Sequence, residues 1–100
     1  MAFEINQTPE ATILTLSEDI NISSSSELRT ALSATPADLD LIIYSADLDY
    51  IDSSGVACLI MAYKQLTATG AKVRLVEPSA ALMNVLKILK FDSLFSIEGS

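Results

Sequence analysis

Tyr50-Ile51-Asp52-Ser53-Ser54-Gly55-Val56 joins two kinds of periodicity. It begins as the end of an apolar, strand-like run and turns through small polar residues. It then opens a pattern in which Val56, Leu59, Ile60, Tyr63 and Leu66 recur at the i, i+3, i+4, i+7 spacing of a helix with one buried face. A strand feeding directly into an amphipathic helix is half of a βαβ unit, which sets the class of fold to look for on either side. Asp52 or Ser53 can cap the free N–H groups of that helix, a contribution of about 0.5–2 kcal/mol. Taken alone, capping is the plainer reading of Asp-Ser-Ser-Gly.

Downstream, the second helix runs from about Ser54 to Thr69 and stops at Gly70, a residue suited to a left-handed terminus. Lys72 to Glu77 alternates charged and apolar residues as a strand does. Pro78-Ser79 opens a third helix with Leu82, Val85, Leu86 and Leu89 on one face, and Leu94 to Ile97 forms a last short strand at an edge. Upstream, Leu41-Ile42-Ile43-Tyr44 is continuously apolar, the pattern of a strand covered on both faces. Before it, Ser24 and Glu27 have capping-box spacing, Leu28, Ala31 and Leu32 give a buried stripe, and the helix ends ahead of Pro36. Ser17 to Ile22 reads as a polar crossing with two apolar anchors. Phe3–Gln7 and Ala11–Leu16, separated by Thr8-Pro9-Glu10, read as an antiparallel pair. The order is β-β-α-β-α-β-α-β: an α/β fold with a mixed, mostly parallel sheet, expected as a single domain over residues 1–100.

Composition narrows the chemistry. Half of the 100 residues are apolar, and thirteen acidic side chains against six basic ones give a net charge of −7. Nucleic acid is a poor partner for such a chain, because its affinity rests on Lys and Arg neutralising phosphates. The chain has no histidine, which removes Ser-His-Asp and Cys-His catalysis and His-based zinc sites. A serine–lysine pair would need Ser53 or Ser54 to reach Lys64, roughly 15 Å along the same helix. Asp47, Asp49 and Asp52 read as solvated acids rather than a cation site. Cys58, the lone cysteine, reads as a small buried filler. The three glycines form no phosphate-cradling cluster. The N-terminus lacks the basic and apolar regions of a secretory leader, and no run is long enough to span a bilayer. A cytoplasmic, monomeric, non-enzymatic protein is expected.

Tyr-Ile-Asp-Ser-Ser-Gly-Val, the Leu-Ile-x-Ala-Tyr helix after it and Gly70-Ala-Lys-Val-Arg-Leu-Val76 together resemble the STAS domain family, in particular its small bacterial anti-sigma-factor antagonists. Pro78-Ser79, Val85-Leu86-x-x-Leu89 and Phe91-Asp92-Ser93-Leu94-Phe95 extend the resemblance over the whole chain. In that family the first serine of Asp-Ser-Ser-Gly is the phosphorylated one, which implies Ser53, with Ser54 as the alternative. The resemblance implies that the unphosphorylated protein binds an anti-sigma factor serine kinase and so frees a sigma factor. Phosphorylation weakens the complex, and a metal-dependent PP2C-type phosphatase restores it. Partner contacts are expected at Asp52, Ser53, Ser54, Gly55 and Val56, and on the neighbouring loop at Asn21, Ser23 and Ser24; no cofactor is implied. Asn21 stands where many relatives carry an Asp. Other roles in the family are an accessory subunit of a membrane lipid ABC transporter and a scaffold or chemotaxis-linked component. A phosphoserine adds about −1.5 to −2 charges, so a local electrostatic gate with little refolding is the expected switch.

Overall fold

The computed structural model describes residues 3–99; Met1, Ala2 and Ser100, which the readings of the N-terminus and of the domain include, lie outside them. The elements are β1 Phe3–Gln7, β2 Ala11–Ile20, α1 Ile22–Ser33, β3 Asp40–Ile51, α2 Ser53–Thr67, β4 Val73–Val76, α3 Ala80–Ile88 and β5 Ser96–Glu98. The five strands lie in sequence order in one sheet. β1 and β2 pair antiparallel, while β2–β3, β3–β4 and β4–β5 are parallel. The mixed sheet and the order of elements are those the sequence predicts.

Parallel neighbours joined by crossovers of the usual right hand carry their helices on the same face. α1 packs on α2 and α2 on α3. Leu14, Leu16, Leu41, Ile43, Val73 and Leu75 of the sheet meet Leu28, Leu59, Leu82 and Leu86 of the helices in the core. Among the described residues the opposite face carries no helix. Ile13, Ile42 and Arg74 lie in one row across it, and Thr15, Tyr44 and Val76 in the next. Ile42 is half-buried and Tyr44 exposed, so β3 is covered on one face and not on both as its apolar run suggests. The run misleads because isoleucine and tyrosine on a half-covered face keep the pattern apolar without being buried.

β2 and β3 are longer than their apolar patterns. Ser17, Glu18 and Asp19 continue β2 and pair with Asp47, Leu48 and Tyr50 of β3, with two register shifts along the way. Each shift leaves an extra residue on β3, the mark of a bulge, which breaks the period-two alternation a strand is read from. Glu18 takes a φ of 59°, a left-handed value unusual outside glycine. Ser17 to Ile20 of the supposed polar crossing is therefore strand; of its two apolar anchors Ile20 is fully buried, whereas Ile22 begins α1 and is exposed. At the other end of α2 the chain leaves the helix at Thr67, and Gly70 supplies a φ of 86°. Leu89 differs from expectation: it caps the C-terminus of α3 and is 37% exposed, so only Leu82 and Leu86 of that stripe are fully buried.

Gly55 sits where α2 passes closest to the ends of β2 and β3. A Cβ there would stand 2.6 Å from Ile20 Cγ2 and 2.7 Å from Ile51 Cγ1, both on buried side chains. Space, not backbone conformation, requires glycine. Overpacking a core typically costs about 1–3 kcal/mol, against which alanine's helix propensity returns at most about 1 kcal/mol. Gly55→Ala is expected to lower stability in urea unfolding, and Gly55→Val to lower it further; an unchanged midpoint for both would refute the close approach.

Candidate functional site

Two parallel strands end abreast and two helices begin there. Ile20 is paired with Ile51, and the Asp52 N–H donates to the Ile20 carbonyl at 3.2 Å. The residues that follow, Asn21 and Asp52, are the N-caps of α1 and α2. Neighbouring strands run about 5 Å apart, so the two helix starts are side by side.

The caps are built alike. Asn21 Oδ1 accepts from the Ser23 N–H at 2.9 Å, the Ser24 N–H at 3.4 Å and the Ser23 hydroxyl at 2.6 Å. Asp52 Oδ1 accepts from the Ser54 N–H at 3.0 Å, the Gly55 N–H at 3.1 Å and the Ser54 hydroxyl at 2.5 Å. In each case the second helical serine is tied back to the cap and the first helical residue faces solvent. That first residue is Ile22 in α1, 78% exposed, and Ser53 in α2, also exposed. The capping box of α1 is Asn21 with Ser24, whose hydroxyl accepts from the Asn21 N–H at 3.0 Å, and not Ser24 with Glu27. Asparagine wins because its carbonyl reaches two N–H groups at once.

Asp52 and Ser53 differ sharply in what holds them. The Ser54 hydroxyl, with the backbone N–H groups of Gly55 and Ser54 adding to it, outweighs the opposing effect of burial and keeps the Asp52 carboxyl below the usual carboxylate range. Among the described residues the Ser53 hydroxyl makes no hydrogen bond, whereas the Ser54 hydroxyl is engaged with Asp52.

Gly55 and Val56 lie deeper. Both are buried, Val56 to 1% exposure, so they form the floor of the site, and Val56 also lines the groove described next. Cys58 is buried as expected, and its thiol donates to the Ser25 carbonyl at 3.2 Å and the Ser54 carbonyl at 3.4 Å, binding α2 to α1. One feature escapes the sequence reading. A groove of about 480 Å³ starts at Ser53 and follows α2 through Ala57, Ile60 and Met61 to Lys64, with Leu89 and Phe91 as the opposite wall. Its signal lay in α2 being apolar on more than one side, but the far wall comes from residues some 30 positions away in sequence.

Among the described residues no three His, Cys, Asp or Glu side chains are grouped so as to hold a metal ion. No helix among them is long and apolar enough to cross a membrane.

Removing the Asp52 cap gives a pH-dependent test. Its folded pKa is depressed, so its stabilisation is present above the unfolded value of about 3.9 and is lost as pH falls through the folded one. Asp52→Ala is expected to cost about 0.5–2 kcal/mol near neutral pH. The gap from wild type should narrow as pH falls below the unfolded value of about 3.9, as measured by urea unfolding from about pH 7 to 3. A gap that persists unchanged to the acid end would show that the carboxylate is not the cap.

A sequence search of curated proteins finds no match. Solved structures do match. A candidate anti-sigma factor antagonist from Thermotoga maritima superposes with a TM-score of 0.83 at 18% identity, covering 98% of this chain and 86% of its own. The anti-sigma factor antagonist SpoIIAA in its unphosphorylated form gives 0.80 at 20% identity, covering 99% and 89%. The phosphorylated form of the same Bacillus cell-fate determinant gives 0.78 at 19% identity, covering 99% and 92%. At these identities the likeness speaks for the fold. The family model for the STAS domain matches residues 2–100, and with the sheet and the order of strands and helices in agreement, the chain belongs to the STAS domain family.

Proposed function

We propose that residues 1–100 form one STAS domain acting as a phospho-regulated partner-switching module in the cytoplasm. In this reading the unphosphorylated monomer binds an anti-sigma factor serine kinase and relieves its inhibition of a sigma factor. Phosphorylation of Ser53 weakens the complex, and a PP2C-type phosphatase resets it. The protein binds and does not catalyse. The observation that carries the reading is the contrast between two adjacent serines: Ser53 is exposed with a free hydroxyl, while the Ser54 hydroxyl is held by Asp52.

The same geometry suggests why a phosphate would act on a partner more than on the fold. Helix N-termini favour anions, but the N–H groups of Ser54 and Gly55 are already taken by Asp52. Asp52 is ionised at neutral pH as any ordinary carboxyl is, and its lowered pKa keeps it so further into acid. A phosphate on Ser53 would therefore stand outside the cap as a surface charge. Pressing it against an acidic or apolar partner surface costs repulsion and desolvation. SpoIIAA matches this fold in both its phosphorylated and its unphosphorylated forms, which is consistent with a switch that leaves the scaffold in place.

The test is a pull-down with wild type, Ser53→Ala, Ser54→Ala and Ser53→Asp, followed by intact-mass measurement. Wild type and Ser54→Ala should capture the kinase and gain one phosphate, Ser53→Ala should capture it and gain none, and Ser53→Asp should bind at least roughly tenfold more weakly. Undiminished phosphorylation of Ser53→Ala would move the site elsewhere.

A further inference from the structure

The charges of this chain are segregated. None of the thirteen acidic residues lies within α2 or α3. The only charged residue of α2 is Lys64 and the only one of α3 is Lys87; Lys90 and Asp92 follow on either side of Phe91. In a protein of net charge −7, these two helices are apolar and basic. Their outer surface also carries Ile88 at 78% exposure and Leu89 at 37%.

The groove beside Ser53 lies on this surface. Its α2 wall runs from Ser53 by steps of three and four through Ala57, Ile60 and Met61 to Lys64. Eleven residues at 1.5 Å each make it about 16 Å long, three helical turns. Leu89 and Phe91 close the other side, and none of the groove's lining residues is acidic. An apolar channel of this length beside a helix suits an amphipathic helix laid into it, anchored at i, i+3, i+4 and i+7.

We infer that the groove between α2 and the Leu89–Phe91 segment seats an amphipathic helix of a partner protein whose flanks are acidic. Lys64 lies at one end of the groove, Lys90 stands between the two far-wall residues and Lys87 two positions before them, so carboxylates on the partner's flanks meet the cations that border it. The inference rests on the proposed switch at Ser53 for its regulation and agrees with it in sign. A phosphate at the Ser53 end repels an acidic occupant, whereas it would hold a basic one more tightly. Release on phosphorylation therefore excludes a basic partner segment at the Ser53 end and agrees with an acidic one.

The test uses the full chain, labelled with 15N, and a synthetic 14-residue helix with leucines on one stripe and glutamates on its flanks. A second peptide has lysines in place of the glutamates. The acidic peptide should shift the amides of Ala57 to Lys64 and Leu89 to Phe91 saturably. It should bind at least about tenfold more tightly than the basic one at low salt, with the preference shrinking at high salt as screening shortens to a few ångströms. Lys64→Glu should weaken the acidic peptide about fivefold or more while leaving the unfolding midpoint near wild type. Equal or tighter binding of the basic peptide, shifts confined to the open face of the sheet, or no saturable shift overturns the inference. So does protection of the same amides by phosphatidylglycerol vesicles in place of the peptide. The two readings fail separately. If Ser53→Asp leaves acidic-peptide binding intact while Lys64→Glu abolishes it, the groove stands and the switch at Ser53 falls. If Ser53 is the phosphosite but the peptide shows no charge preference, the groove's occupant is wrong and the switch stands.

Discussion

The pairing of Ile20 with Ile51 governs the rest of the molecule. Because β2 and β3 run parallel to the same end point, both following helices must start there, and their first turns are brought abreast. The fit is close enough that α2 has room for no side chain at Gly55. Everything distinctive about the site follows from this crowding. The caps are short polar residues, the second helical residues, both serines, are tied back onto them, and the first residue of each helix is left facing outward with no tie to its cap.

That geometry makes Ile22 and Ser53 equivalents on adjacent helices, one apolar and one polar. Their caps differ as well, one neutral and one charged. The Asp52 carboxylate occupies N–H groups that an added anion would otherwise use, and the Asn21 amide does the same for α1 without bringing charge. The cap therefore serves two purposes at once: it stabilises the helix, and it keeps the neighbouring hydroxyl at the surface with its chemistry uncommitted.

The strand and helix order could be read from periodicity, because most elements bury one face and leave the pattern clean. The exceptions have physical causes. Ser17 to Ile20 hid a strand because Glu18 takes a left-handed φ and leaves both Glu18 and Asp19 exposed, which breaks the alternation of β2 itself. Ser24 resembled a cap because it is the partner of the true cap three residues earlier. Asp52, Ser53 and Ser54 read by themselves as a helix cap, since small polar residues between a strand and a helix are the usual capping chemistry; only the resemblance to the STAS family singled them out as a candidate site. The groove was not legible, since one of its walls comes from Leu89 and Phe91, and no local pattern records what meets α2 in space. Nor does local pattern tell Ser53 from Ser54; that distinction depends on which hydroxyl the Asp52 carboxylate engages.

The two margins of the sheet bear on how the protein behaves at high concentration. β5 has three residues, and the Glu98 carboxylate at its end accepts from the Arg74 guanidinium at 2.6 and 2.8 Å. β1, at the other margin, alternates Glu4 and Asn6 with its half-buried Phe3 and Ile5. One margin is too short to template another strand and the other sets charged and amide side chains along its outer row, which are the usual protections against edge-to-edge aggregation. A chain with an apolar groove and an uncovered sheet face thus keeps its sticky surfaces away from its unpaired backbone.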